Sequence, residues 1–77
     1  VSATYFSVLF KKETGMSFVS YLTKVRLEHA IELLDHTEDK SYMIAEKVGY
    51  TEANYFSYVF KKKYGVSPSR YRQNKGR

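Results

Sequence analysis

The chain has 77 residues, no cysteine, one proline and a formal net charge of +5 at pH 7. This length allows one small domain, which buries only about 60 % of the surface its unfolded chain exposes, and neither disulfides nor a Cys/His zinc cluster can staple it. No apolar run approaches the roughly 20 residues of a membrane span and no signal peptide is visible, and the lack of cysteine fits a reducing, cytoplasmic setting. The charge is segregated. Residues 1–27 carry four Lys/Arg and one acid, residues 28–52 seven acids and two Lys, and residues 53–77 seven Lys/Arg and no acid. A basic C-terminal third after an acidic middle points to one face or end drawn to a polyanion.

In chain order, the first expected element is a helix within residues 1–16. Its apolar face is Phe6, Leu9 and Phe10, and its opposite stripe is Ala3, Thr4, Ser7, Val8 and Lys11, at i, i+1, i+4, i+5, i+8. Ser17 is placed to cap a second helix, whose apolar face draws on Phe18, Leu22, Val25, Ala30, Ile31, Leu33 and Leu34. Phe18 to Leu34 spans about 25 Å at the helical rise, the right order for a spacer between major-groove segments that recur every ~34 Å on one DNA face. The polar run His36–Lys40 reads as a loop, and residues 17–40 together form linker helix and loop.

Residues 41–77 hold the densest pattern. Ser41 is expected to cap a short helix, Tyr42–Val48, with Ile44, Ala45 and Val48 on its apolar face. Gly49 then interrupts, as the residue that most easily adopts the left-handed conformation closing a helix. Thr51 is the expected cap of the next helix, where Phe56, Val59 and Phe60 recur at i, i+3, i+4. Helix, glycine-containing turn, helix is the helix-turn-helix pattern, whose second helix enters the DNA major groove. Ser67-Pro68 caps a last short helix through Tyr71 and Arg72, with Pro at the first position, where its missing N–H costs nothing. Residues 73–77 read as a basic tail that frays.

An internal repeat fixes the architecture. Tyr5-Phe6-Ser7-x-x-Phe10-Lys11-Lys12-x-x-Gly15-x-Ser17 recurs fifty residues on as Tyr55-Phe56-Ser57-x-x-Phe60-Lys61-Lys62-x-x-Gly65-x-Ser67, with Ala3 matching Ala53 and Tyr21 matching Tyr71. The expected fold is therefore all-α: two helix-turn-helix units joined by a long linker helix, the first unit incomplete, within one domain.

The run Ile44-Ala45-x-x-Val48-Gly49-Tyr50, then Tyr55-Phe56, Phe60-Lys61, Gly65, Ser67-Pro68 and Tyr71-Arg72, resembles the signature of AraC/XylS-type transcription regulators. Arg26-Leu27-x-x-Ala30-x-x-Leu33-Leu34 is similar to the linker helix of the same family. The resemblance implies double-stranded DNA as partner, with the stripes Ala3, Thr4, Ser7, Val8 and Ala53, Asn54, Ser57, Tyr58 facing bases. Asn54 can bond bidentately to adenine N6/N7, and Thr4 and Ala53 can touch a thymine methyl. The pairs Lys11, Lys12 and Lys61, Lys62 follow each apolar Phe directly and are expected at phosphates. The family pattern would place a positioning helix before Val1-Ser2, so the chain reads as part of a longer regulator whose upstream sensor or receiver domain lies outside it. RNA polymerase is a further implied partner. A first helix lacking packing partners would also favour a homodimer, and a helical dimerisation module without DNA specificity is the competing class. Salt separates the two, because DNA binding weakens steeply with salt and apolar association does not.

Tyr5, Tyr21, Tyr55 and Tyr71 read as core aromatics beside the buried Phe residues, and Arg26 with Glu46 as a possible ion pair between helices. His29 and His36 are isolated. No metal site, cofactor or catalytic constellation is expected, so the reading is of a protein that is not an enzyme.

Overall fold

Two Gly-x-Ser triplets cut the chain at matching places. The structure, a computed structural model, describes residues 3–75, with side chains from Val8 onward. Among them lie helices α1 (Ala3–Thr14), α2 (Phe18–His36), α3 (Ser41–Lys47), α4 (Ala53–Tyr64) and α5 (Pro68–Lys75). α1 and α4 have equal length and end alike. Gly15 takes φ +79° and Gly65 +84°, and the N–H of each donates to the carbonyl of Lys11 or Lys61 at 2.7 Å. Ser17 and Ser67 then cap the following helices, accepting from Ser20 N at 3.1 Å and Arg70 N at 3.2 Å. The sequence repeat is thus a repeat of helix, left-handed glycine and serine cap.

Two expected caps take other forms. Ser41 is the first residue of α3 rather than its cap, and Lys40 holds the cap position with no side-chain bond. Glu52, not Thr51, precedes α4, again without a side-chain bond. The connection here is longer than a two-residue turn. Gly49 at φ +103° lets Tyr50 N reach back to Ala45 O at 2.9 Å, and that closure carries the chain past Thr51 before α4 begins. α2 runs on to His36, because Thr37 N and Oγ1 both donate to Leu33 O, at 3.0 and 2.6 Å.

The core gathers around the second half of α2. Leu27, Ala30 and Leu34 pack with Ile44, Ala45, Val48 and Tyr50 and with Phe56 and Phe60 of α4. Phe60 is fully buried, with Phe56, Tyr64 and Tyr71 rings at 5.9, 4.7 and 5.9 Å. Burial pushes the Tyr64 phenol up, with nearby Glu28 and then Tyr71 adding to it. Leu22 and Val25, expected on the apolar face, are exposed. The reason is positional: α3, α4 and α5 cover only the C-terminal half of α2, while α1 meets its first turns through Phe10, whose ring lies 5.5 Å from Phe18 and 5.1 Å from Tyr21. Arg26 does not pair with Glu46. Its guanidinium lies over the ring of Tyr50, 5.3 Å from the centroid, and close enough to Gly49 that a Cβ there would sit 3.0 Å from Nε.

The body measures 46 × 22 × 20 Å, with α1 at the start of α2 and α3–α5 around its end. The two copies are unequally anchored. Phe60 is fully buried while its counterpart Phe10 is half-buried, and Leu9 is 42 % exposed where Val59 is half-buried. Burial of one such side chain is worth about 1.5–3 kcal/mol. Local opening should therefore begin in α1: in amide exchange, residues 8–14 are expected to lose protection well before residues 58–64. Equal protection of the two segments in a demonstrated monomer would contradict this.

Candidate nucleic-acid interface

α3, the Gly49 turn and α4 form a helix-turn-helix unit whose second helix is fixed from beneath. Phe56 and Phe60, at i and i+4, hold α4 on the core, and Tyr50 wedges between Arg26 and Phe56, its ring 5.5 Å from the latter. This leaves Asn54, Tyr55, Tyr58, Lys61 and Lys62 exposed along one side. Ala53 is half-buried and packs against the core, and Ser57 is half-buried. On α1, Val8 is 65 % exposed, and Lys11 and Lys12 are exposed. The side chains of Ala3, Thr4, Tyr5 and Ser7 lie outside the described residues.

Electrostatics separates two sets of lysines. Lys24, Lys47 and Lys75 pair with Glu28, Asp39 and Asp35 at 3.7, 2.5 and 3.3 Å. Lys75 also donates to the Tyr71 hydroxyl, and its hydrogen bonds to Asp35 and Tyr71 hold its pKa up. Lys11, Lys12, Lys61 and Lys62 pair with no carboxylate among the described residues. Lys62 instead sits 5.9 Å from the centroid of the Tyr58 ring. α4 carries no acid at all, and its last turn holds Lys61, Lys62 and Lys63.

Tyr21 and Tyr55 depart from the core reading. Tyr55 is 59 % exposed and Tyr21 41 %, while Tyr71 packs against the core. Tyr55 follows Asn54 on the outer side of α4, one position before the buried Phe56, so the helical turn of about 100° per residue carries it out of the core. The periodicity of Phe56 and Phe60 held that signal, since the residue preceding a buried one at each turn is lateral or exposed.

Arg72 reaches from α5 to the end of α2. Its guanidinium caps the end of α2: Nε donates to Leu34 O at 3.1 Å, one terminal nitrogen to Asp39 O at 2.5 Å, and the other to Thr37 O at 2.9 Å and Leu33 O at 3.5 Å. α5 is thereby tied to α2 and its loop, which in turn holds Tyr71 against Phe60 beneath α4.

Residues 1–74 match the family described as a helix-turn-helix domain. The chain is 46 % identical over 74 residues to the transcriptional regulatory protein YesN of Bacillus subtilis, covering 94 % of this chain and 20 % of that protein. It is 44 % identical over 64 residues to RhaR of Klebsiella pneumoniae, an HTH-type transcriptional activator, covering 83 % of this chain and 23 % of that protein. Among solved structures, the C-terminal domain of AraT, a response regulator from Geobacillus stearothermophilus, superposes with TM-score 0.91 at 51 % identity, over 96 % of this chain and 61 % of that one. The DNA-binding domain of AdpA, solved in complex with a target DNA, shares the fold at TM-score 0.90 and 24 % identity, over 96 % and 67 % of the two chains. The chain belongs to the helix-turn-helix family of AraC/XylS type, as a DNA-binding domain of transcription regulators. It spans about a fifth of the length of the curated relatives it matches. No helix among the described residues is long and apolar enough to cross a membrane.

Proposed function

We propose that α1 and α4 enter two successive major-groove segments of one double-stranded site, held at fixed separation by α2. The observation that carries this is the uncompensated lysine pair at the same place on two helices of equal length, Lys11–Lys12 and Lys61–Lys62, at the two ends of an elongated body. In this reading Asn54 and Tyr58 on α4 and Val8 on α1 meet bases. Ala3, Thr4 and Ser7 belong to the same α1 stripe, and Ala53 and Ser57 to the flank of the α4 stripe. The four lysines meet phosphates, whose positioning role carries no sequence information.

The protein of which this chain is part would act in the cytoplasm, on genomic DNA and without enzymatic chemistry. An upstream sensor or receiver domain would gate it, RNA polymerase would be its target, and a homodimer would bring two copies to one promoter. The response-regulator relatives favour a receiver, and RhaR, an activator, favours activation.

Asn54 gives the sharpest test. A duplex is first selected by the chain from a random pool. Asn54→Ala is then expected to weaken binding to it by about 1–3 kcal/mol and to leave binding to random duplex nearly unchanged. Equal losses on the two duplexes would remove Asn54 from base readout. Binding that is also indifferent to salt would favour the dimerisation module instead.

A further inference from the structure

We infer that Tyr55 and Tyr58 form an aromatic packing edge that reads the 5-methyl groups of thymine, so that α4 recognises its site partly without hydrogen bonds. This rests on the reading of α4 as a groove-entering helix and adds Tyr55 to its contacts. Both rings stand proud of the helix, 59 % and 61 % exposed. They stack on each other at 6.5 Å with 28° between their planes, and the row continues inward to the buried Tyr50, 6.0 Å from Tyr55. Exposed tyrosines on a free helix would sample several rotamers. These are braced from within by Tyr50, itself under Arg26, and from without by Lys62 over Tyr58.

Beside the row, Tyr58, Lys61 and Lys62 share an open, mostly apolar patch on the surface of α4. The patch is made of the Tyr58 ring and two lysines, with the Lys62 ammonium 5.9 Å from the ring centroid, and long cationic side chains can cover apolar surface with their stems. An exposed aromatic edge beside two cations on a groove-facing helix matches one feature of duplex DNA in particular. The thymine methyl is the apolar group on the major-groove edge of a base pair, and it lies within reach of flanking phosphates that the ammonium groups can neutralise. Asn54, one position from Tyr55, supplies the hydrogen bonds that an aromatic edge lacks. An adjacent adenine for Asn54 and thymines for the rings would make the α4 half-site A·T-rich.

The test uses the 77-residue chain and the duplex it selects, with each thymine replaced in turn by deoxyuridine, which removes the methyl and nothing else. Burying one methyl-sized group is worth about fourfold in affinity. Losses of that size are expected at one or two thymines within one half of the site. Tyr58→Ala should abolish the sensitivity at one of them and Tyr55→Ala at the other, while Tyr58→Phe and Tyr55→Phe keep it, because the ring and not the hydroxyl does the reading. The phenylalanine variants should unfold at the wild-type denaturant midpoint, and the alanine variants below it by at most the contribution of one aromatic pair, so all four are compared folded. Three results would overturn the inference: indifference to every methyl, sensitivity surviving in both alanine variants, or phenylalanine variants as weak as the alanine ones. Any of these in a chain that still binds duplex leaves the proposed function standing, whereas no duplex binding at all removes both.

Discussion

Replacing Arg72 with alanine is expected to lower the unfolding free energy by about 2–5 kcal/mol, seen as a lower urea midpoint at unchanged slope. The guanidinium satisfies carbonyls of Leu33, Leu34, Thr37 and Asp39 at once. Without it, the carbonyls of Leu34, Thr37 and Asp39 lose that donor, since a helix leaves its final carbonyls unmatched, while Leu33 O keeps Thr37 N and Oγ1. Arg72→Lys should recover only part of the loss. Its three donors radiate from one nitrogen and cannot span the spread that a planar fork covers. For a domain of this size such a loss is a large share of the 5–15 kcal/mol typical of native stability. A midpoint within a few tenths molar of wild type would mean that water serves those carbonyls equally well.

Changing Lys11, Lys12, Lys61 and Lys62 together to glutamine is expected to flatten log K against log salt by about 3.6, at ~0.9 per lost phosphate contact. Affinity should fall alike on selected and random duplex, because phosphates are the same everywhere. The exchange removes no ion pair among the described residues, since none of the four pairs with a carboxylate there, and the side-chain contact it gives up is that of Lys62 with the Tyr58 ring. Substituting only the α4 pair should account for about half of the change in slope. An unchanged slope in the quadruple variant would leave these side chains merely solvated.

The helices and their matching ends were legible because their causes are local. A glycine at the left-handed position and a serine three residues before the amide it caps are written within a few residues of each other, and both copies obey them. The caps of α3 and α4 were not legible. Ser41 and Thr51 are good cap residues, but the start of each helix is set by closure of the preceding segment, through Tyr50 N to Ala45 O in the case of α4. Arg72 was hidden for a different reason. Its partners are main-chain carbonyls 33 to 39 residues away, and a carbonyl has no residue identity to recognise. Arg26 misled through its charge, because its resting place is the face of Tyr50 and not a carboxylate. The exposure of Tyr55 could have been read from the spacing of Phe56 and Phe60. The assumption that aromatic means interior outweighed it.

α2 is an unbroken run of 19 residues, about 28 Å long, and its later turns supply the core through Leu27, Ala30 and Leu34. A residue gained or lost before Leu27 would turn α3–α5 relative to α1 by about 100°, and one between Leu27 and Leu34 would also break the register of the core. From Leu27 to Leu34 the length is frozen by the same side chains that hold the domain together, and before Leu27 by the angle between α1 and α4. In the proposed reading, the two groove segments then form one word of fixed length rather than two words with an elastic gap. Over evolutionary time such a regulator can change the letters it reads, by exchanging side chains on α1 and α4, far more easily than it can change the spacing between them. A promoter that gains half a helical turn between its segments passes out of its vocabulary.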